Sequence, residues 1–99
     1  MPGEILSLAI FQPLPGHEAA ALETMRELIA ALSAGGYSRD LLLRDTRAEN
    51  EYVLLRYWKS EEARRAALED PGVLRCWAKL AHEIRTGKIY ETLEEALGT

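Results

Sequence analysis

The chain has one cysteine among its 99 residues, so Cys76 has no internal disulfide partner, which suits a reducing compartment. Its two histidines, His17 and His82, stand far apart, and no Cys/His spacing repairs this into a metal site. No apolar run approaches the ~20 residues of a membrane span. The N-terminus shows no basic region ahead of an apolar stretch, so a cytoplasmic location is expected. Excess positive charge is missing too. A net charge of −4 excludes the basic face with which a nucleic-acid binder displaces phosphate counterions. Gly87-Lys88 lacks the glycine loop of a phosphate site. There is no linker, internal repeat or low-complexity segment.

What remains reads as one domain over residues 1–99. Apolar residues make up 47% and charged residues 28%, the balance of an ordinary globular protein. A chain this short buries roughly 60–70% of its unfolded surface, enough for one modest core. Residues 4 to 11 are an apolar run without helical spacing, ended by Pro13, Pro15 and Gly16, and read as a central strand. A helix is expected from His17 to Ser33. Ala21, Leu22, Met25, Leu28, Ile29 and Leu32 form its apolar stripe, and Gly35-Gly36 ends it. Residues 37–45 and 51–58 read as two strands joined by a polar hairpin loop, Thr46 to Asn50. In the second of these, Tyr52, Leu54, Arg56 and Trp58 share one face.

Ser60 caps a short helix with Glu61 and Glu62 in its first turn. Asp70-Pro71-Gly72 breaks that helix and restarts a second one, with Asp70 as cap and Pro71 as first residue. Val73, Trp77, Leu80, Ala81 and Ile84 are expected on one face of the second helix, Gly87 at its stop, and a last strand over Lys88 to Leu93. The order β-α-β-β-α-α-β predicts an α+β, ferredoxin-like layout: a four-stranded antiparallel sheet, right-handed crossovers, and helices on one side only. The first strand is apolar on both faces. An uncovered apolar sheet face predicts a homodimer whose two sheets pack face to face.

Tyr57-Trp58-Lys59-Ser60-Glu61-Glu62-Ala63 at a strand-to-helix junction, followed by Asp70-Pro71, resembles the antibiotic biosynthesis monooxygenase family of dimeric α/β barrels. The resemblance runs from the first strand through the fourth. It implies a dimeric α/β barrel and, for the oxygenase branch, attack of O₂ on an electron-rich polycyclic phenol with neither metal nor flavin, so no cofactor is expected. Trp58 matches the tryptophan that the oxygenases use near the third strand. The inward position four residues earlier, an asparagine in those enzymes, is Leu54 here. The haem-degrading branch needs an asparagine, a tryptophan and an iron-binding histidine at positions that fall on Ala9, near Ala67, and on Trp77. None of the three can serve, and His82 lies more than a helical turn too far along.

Trp58 and Trp77 each read as core filler or as walls of a pocket for a flat apolar ligand. Arg56, on the Trp58 face, either pairs with a carboxylate or binds an anionic ligand. Tyr37, Tyr57 and Tyr90 either offer hydroxyls to a substrate or cap a sheet edge. His82 is a candidate general base or a solvated side chain. Cys76 reads as a buried, inert thiol. The expected function is a small cofactor-independent monooxygenase acting on an aromatic molecule. Trp58 and His82 are its candidate catalytic residues, and Arg56, Trp77, Tyr57 and Tyr37 its candidate substrate contacts. The alternatives are a non-catalytic homodimer that binds a small aromatic, apolar or anionic molecule, and an isomerase or lyase in which His82 or a tyrosine is the base.

Overall fold

A computed structural model describes residues 5–98. Its elements run β1 (Ile5–Pro13), α1 (Glu18–Ala34), β2 (Ser38–Arg44), β3 (Tyr52–Trp58), α2 (Glu61–Ala67), α3 (Pro71–Leu80) and β4 (Ile84–Leu93). The expected first strand included Glu4, which lies outside the described residues. The four strands form one antiparallel sheet in the order β2-β3-β1-β4. β1 and β2 each pair antiparallel with β3, and β3 and β4 each pair antiparallel with β1. Each crossover therefore skips one strand, the α+β, ferredoxin-like arrangement.

Period-two alternation sorts the sheet into two faces. Across β1 and β3 the register pairs Ile5 with Trp58, Ser7 with Arg56, Ala9 with Leu54 and Phe11 with Tyr52. These residues face the helices. Phe11, Tyr52, Leu54 and Trp58 are buried there with Met25, Leu28 and Leu32 of α1 and Val73, Cys76 and Leu80 of α3. The rings of Phe11 and Tyr52 stack with centroids 5.6 Å apart. The intervening residues form the other face: Leu6, Leu8 and Ile10 on β1, Val53, Leu55 and Tyr57 on β3, Leu41 and Leu43 on β2. No helix of the described chain covers them. Leu41 and Leu43 are 43% and 48% exposed, a large apolar surface for a strand pair to leave in water.

The caps follow the local sequence. Ser60 Oγ accepts the Ala63 N–H at the start of α2, and Asp70 Oδ1 accepts those of Gly72 and Val73 at the start of α3. After α1, Gly36 takes the left-handed conformation at φ 71°. The last helix departs from expectation. It stops at Leu80, not at Gly87, and β4 begins at Ile84, not at Lys88. Ala81 and Ile84 therefore do not extend the α3 stripe. The helix unwinds because His82 and Glu83 bond back only three residues, to Lys79 and Leu80. From Ile84 onward, pairing with Pro13, Gln12 and Phe11 of β1 replaces the helical bonds. Gly87 sits inside β4 at an irregularity in the ladder, where a Cβ would come within 3.3 Å of the Ile10 carbonyl oxygen. It marks a close backbone approach rather than a helix end.

Candidate functional site

Between the helix-facing side of the sheet and the α2–α3 elbow lies a cavity of about 340 Å³. That is near the lower end of the range for small-molecule sites, roughly 300–1,000 Å³. The sheet contributes Ser7, Ala9, Leu54, Arg56 and Trp58, and the helices contribute Arg64, Ala67, Leu68, Val73 and Trp77. Ile89 and Glu91 of β4 close the side. The lining is chiefly apolar, with few polar groups.

Each polar group has a traceable position. Alternation along β3 brings Arg56 and Trp58 to the cavity side by side. The Trp58 indole N–H donates to Ser7 Oγ at 2.7 Å, and the Ser7 hydroxyl donates to the Glu91 carbonyl at 2.5 Å. This chain crosses β3, β1 and β4 and fixes the indole plane. Arg64 is paired with Glu61, one turn back on α2, through two hydrogen bonds at 3.1 and 2.9 Å. Arg64 holds the Glu61 carboxyl below the usual carboxylate range.

Arg56 Nε donates to Asp40 Oδ2 at 2.7 Å. Both side chains are buried, 8% and 1% exposed. Asp40 also accepts the Ser38 hydroxyl at 2.7 Å. The guanidinium carbon lies 5.2 Å from the Trp58 ring centroid and 5.8 Å from that of Trp77, within cation–π range of both. Arg56 Nη2 is buried and has no hydrogen-bond partner among the described residues.

The structure thus brings three of the expected residues together: Arg56, Trp58 and Trp77 border one cavity. The other three lie elsewhere. Tyr37 donates to Asp70 Oδ2 at 2.7 Å, tying the entry to β2 to the N-terminus of α3. That bond raises the phenol's pKa and, with the Gly72 N–H, lowers that of Asp70. Tyr37 therefore positions the elbow that roofs the cavity and does not line it. Tyr57 is on the opposite sheet face, with the Arg39 guanidinium 4.2 Å from its ring centroid. His82 is not on α3. It sits exposed in the turn after it, away from the cavity lining. Cys76 is buried, and burial pushes its thiol pKa up, as expected of an inert thiol.

Asp40 and Ser7 went unread in the sequence. A signal for Asp40 existed. The loop from Thr46 to Asn50 centres on Ala48, and equal steps back along the hairpin set Asp40 opposite Arg56, as the register confirms. Asn50, at φ 69°, donates from its side chain to the Pro13 carbonyl at 3.1 Å and so ties this loop to the end of β1.

A ferredoxin-like sheet with helices on one side and an apolar, tryptophan-walled cavity between them defines the class of this protein. The model of the antibiotic biosynthesis monooxygenase family matches residues 5–79, and the chain belongs to that family. Among solved structures it is similar to SnoaB, a cofactor-independent oxygenase from Streptomyces nogalater, with a TM-score of 0.77 at 22% identity over 95% of this chain and 97% of that one. It is also similar to PA3566 from Pseudomonas aeruginosa, with a TM-score of 0.80 at 19% identity over 98% of each chain. Rv0793 from Mycobacterium tuberculosis gives 0.75 at 19% identity over 95% and 99%. At these identities the likeness speaks for the fold. No curated protein matches the chain. Among the described residues, no helix is long and apolar enough to cross a membrane.

Proposed function

We propose that this protein is a cofactor-independent oxygenase that holds a flat aromatic molecule between Trp58 and Trp77. The observation that carries this reading is the cavity itself, in a chain of this family: apolar walls, two indoles and one buried cation under a helical roof. SnoaB, named as a cofactor-independent oxygenase, shares the fold. In such a reaction the ionised substrate donates an electron to O₂, and the radical pair then joins to form a hydroperoxide. Loss of water leaves the ketone, so that R₂CH₂ + O₂ gives R₂C=O + H₂O and the substrate supplies every electron. The chain's part is to orient the ring, exclude water and stabilise the substrate anion. Trp58, locked by Ser7, is the wall against which the ring is held.

The working unit in this reading is a homodimer joined through the open sheet face, where Leu41, Leu43, Val53 and Leu55 stand in a row across two strands. The test is oxygen uptake by metal-free protein in chelator with a panel of hydroxylated anthrones and naphthols. Uptake with stoichiometric ketone formation is expected. A panel without uptake by any member would refute the reading.

A second reading, a binding protein without turnover, draws on Leu54, an apolar residue at the inward position where the oxygenases resembled here have an asparagine. A tight ligand in a thermal-shift screen that is recovered chemically unchanged would select it. The isomerase or lyase reading loses its base: neither His82 nor any of the four tyrosines lines the cavity.

A further inference from the structure

One end of the sheet carries two cations that the fold leaves unneutralised. Arg39 stands second on β2, on the uncovered face, with its guanidinium over the Tyr57 ring. Lys59 follows β3, and its backbone N–H donates to the Tyr37 carbonyl. Its Nζ lies over the Gly36 turn, 3.8 Å from where a Cβ would stand. Between the two cations is an open cleft of about 380 Å³, lined also by Ser33, Gly36 and Ser38. Among the described residues neither cation forms an ion pair, although acidic residues outnumber basic ones 16 to 12. Stacking on Tyr57 fixes where Arg39 stands without neutralising it. Two carboxylates are in the converse condition. Glu94 and Glu95 follow β4, both exposed, and neither has a cation partner among the described residues. Glu94 borders a surface pocket whose other charged residue is Glu61, a like charge.

These acids do not lie at the cleft of their own chain. β2 and β4 are opposite edges of the sheet, three strand spacings or about 14 Å apart, and the tail leaves β4 along the strand direction. A second copy changes this. Two open faces that pack on each other are related by a two-fold axis in the plane between them. An axis along the strands sets each β4 over the partner's β2, whereas an axis across them sets β2 over β2. Through β1 and β3 the register puts Tyr90 level with Leu41, and Leu93 level with Arg39. With the axis along the strands, the partner's Tyr90 covers Leu41, side chains that are 38% and 43% exposed in the single chain. The partner's Leu93 then reaches Arg39, and its tail runs on past Ser38 toward Lys59. With the axis across the strands at Leu41, Arg39 meets the partner's Leu43, a cation against an apolar side chain with no counter-charge. The charges select the first arrangement.

We propose that Glu94 and Glu95 of one copy dock in the Arg39–Lys59 cleft of a second copy, one such clip at each end of a two-fold dimer. This rests on the homodimer in the reading above. Two carboxylates meet two cations, and the clips lie at the rim of the sheet interface. There, charge complementarity acts chiefly on orientation: it favours the axis along the strands and penalises the other.

The test is sedimentation equilibrium on two variants beside the wild type, with circular dichroism to check that each is folded. The cleft variant is Arg39→Glu/Lys59→Glu, and the tail variant is Glu94→Lys/Glu95→Lys. Either alone puts like charges at both clips, so its dimer dissociation constant should rise at least about tenfold, and less in high salt. Mixed in equal amounts, the two variants restore both clips in a heterodimer, because each cleft again meets a tail of opposite charge. The mixture should therefore associate nearly as tightly as the wild type. A contact between tail and cleft of the same chain would gain nothing from mixing, so a mixture no tighter than its components would overturn the proposal. Variants that dimerise as tightly as the wild type would overturn the clip and leave the dimer standing. A monomeric wild type would overturn both. Oxygen uptake is not read, so failure of the oxygenase reading stays separate.

Discussion

Replacing Asp40 by alanine tests how the cavity's cation is held. Asp40 is 1% exposed and its partner Arg56 8%, so both charges are out of water and depend on each other. The contact is a single charge-assisted bond of 2.7 Å, and among the described residues Nη2 has no acceptor to fall back on. Breaking a buried pair from one side costs about 3–5 kcal/mol, because the remaining charge is stranded. A domain of this size has about 5–15 kcal/mol of stability in all. At roughly 4–8 °C per kcal/mol the thermal midpoint should fall by more than about 12 °C. Asp40→Asn keeps an acceptor for Nε and should cost less. Asp40→Leu/Arg56→Met removes both charges and should recover most of the loss. The assay is urea unfolding by circular dichroism at fixed protomer concentration, since any association through the sheet adds to apparent stability. Three outcomes refute the reasoning: a loss below about 1 kcal/mol for Asp40→Ala, the median of a surface pair; an equal loss for asparagine; or a double variant no better than the single one.

Other expectations follow from the same geometry. Tyr37→Phe removes the hydroxyl bond to Asp70 and should destabilise the fold over the neutral range. Asp70 is depressed below its ordinary 3.8 and Tyr37 raised above its ordinary 10.0, so their contribution is present between those values. It is lost as pH falls through the folded Asp70 value or rises through the folded Tyr37 value; wild-type and variant melting curves should therefore converge at both extremes and stay apart between them. Leu28→Ala, at a fully buried position on α1, should cost about 2–5 kcal/mol in urea unfolding, and a loss under 1 would contradict the core assignment. Trp77→Ala should leave the fold standing and abolish quenching by 1-naphthol, whereas His82→Ala should change neither binding nor oxygen uptake. Leu55→Arg, in the middle of the open sheet face, should convert a sedimenting dimer to a monomer at micromolar concentration; a wild type that is already monomeric would remove the dimer.

The parts of this molecule that local chemistry decides were readable without coordinates. Alternation along β3 put Arg56 and Trp58 on one face. Ser60 and Asp70-Pro71 announced the two helix starts, because capping is a property of a few adjacent residues. The end of α3 was not readable, because Ala81 to Ile84 suit a helix in isolation and only pairing with β1 draws Ile84 into a strand. His82 was misplaced with it: it lies two residues past Leu80, where α3 ends. At the site, faces and stripes left Trp58, Trp77 and Arg56 as core filler or pocket walls, and the packed chain sets all three around one cavity. The Asp40 partner needed register as well as alternation. The Tyr37–Asp70 bond, which spans the elbow, needed the packed chain.

A crystal structure of the protein soaked with 1-naphthol bears most directly on the claim that this cavity is a ligand site. The expected density is a flat ring system between Trp58 and Trp77. A space closed by the indoles themselves, or a probe bound only at the outer sheet face, would contradict it.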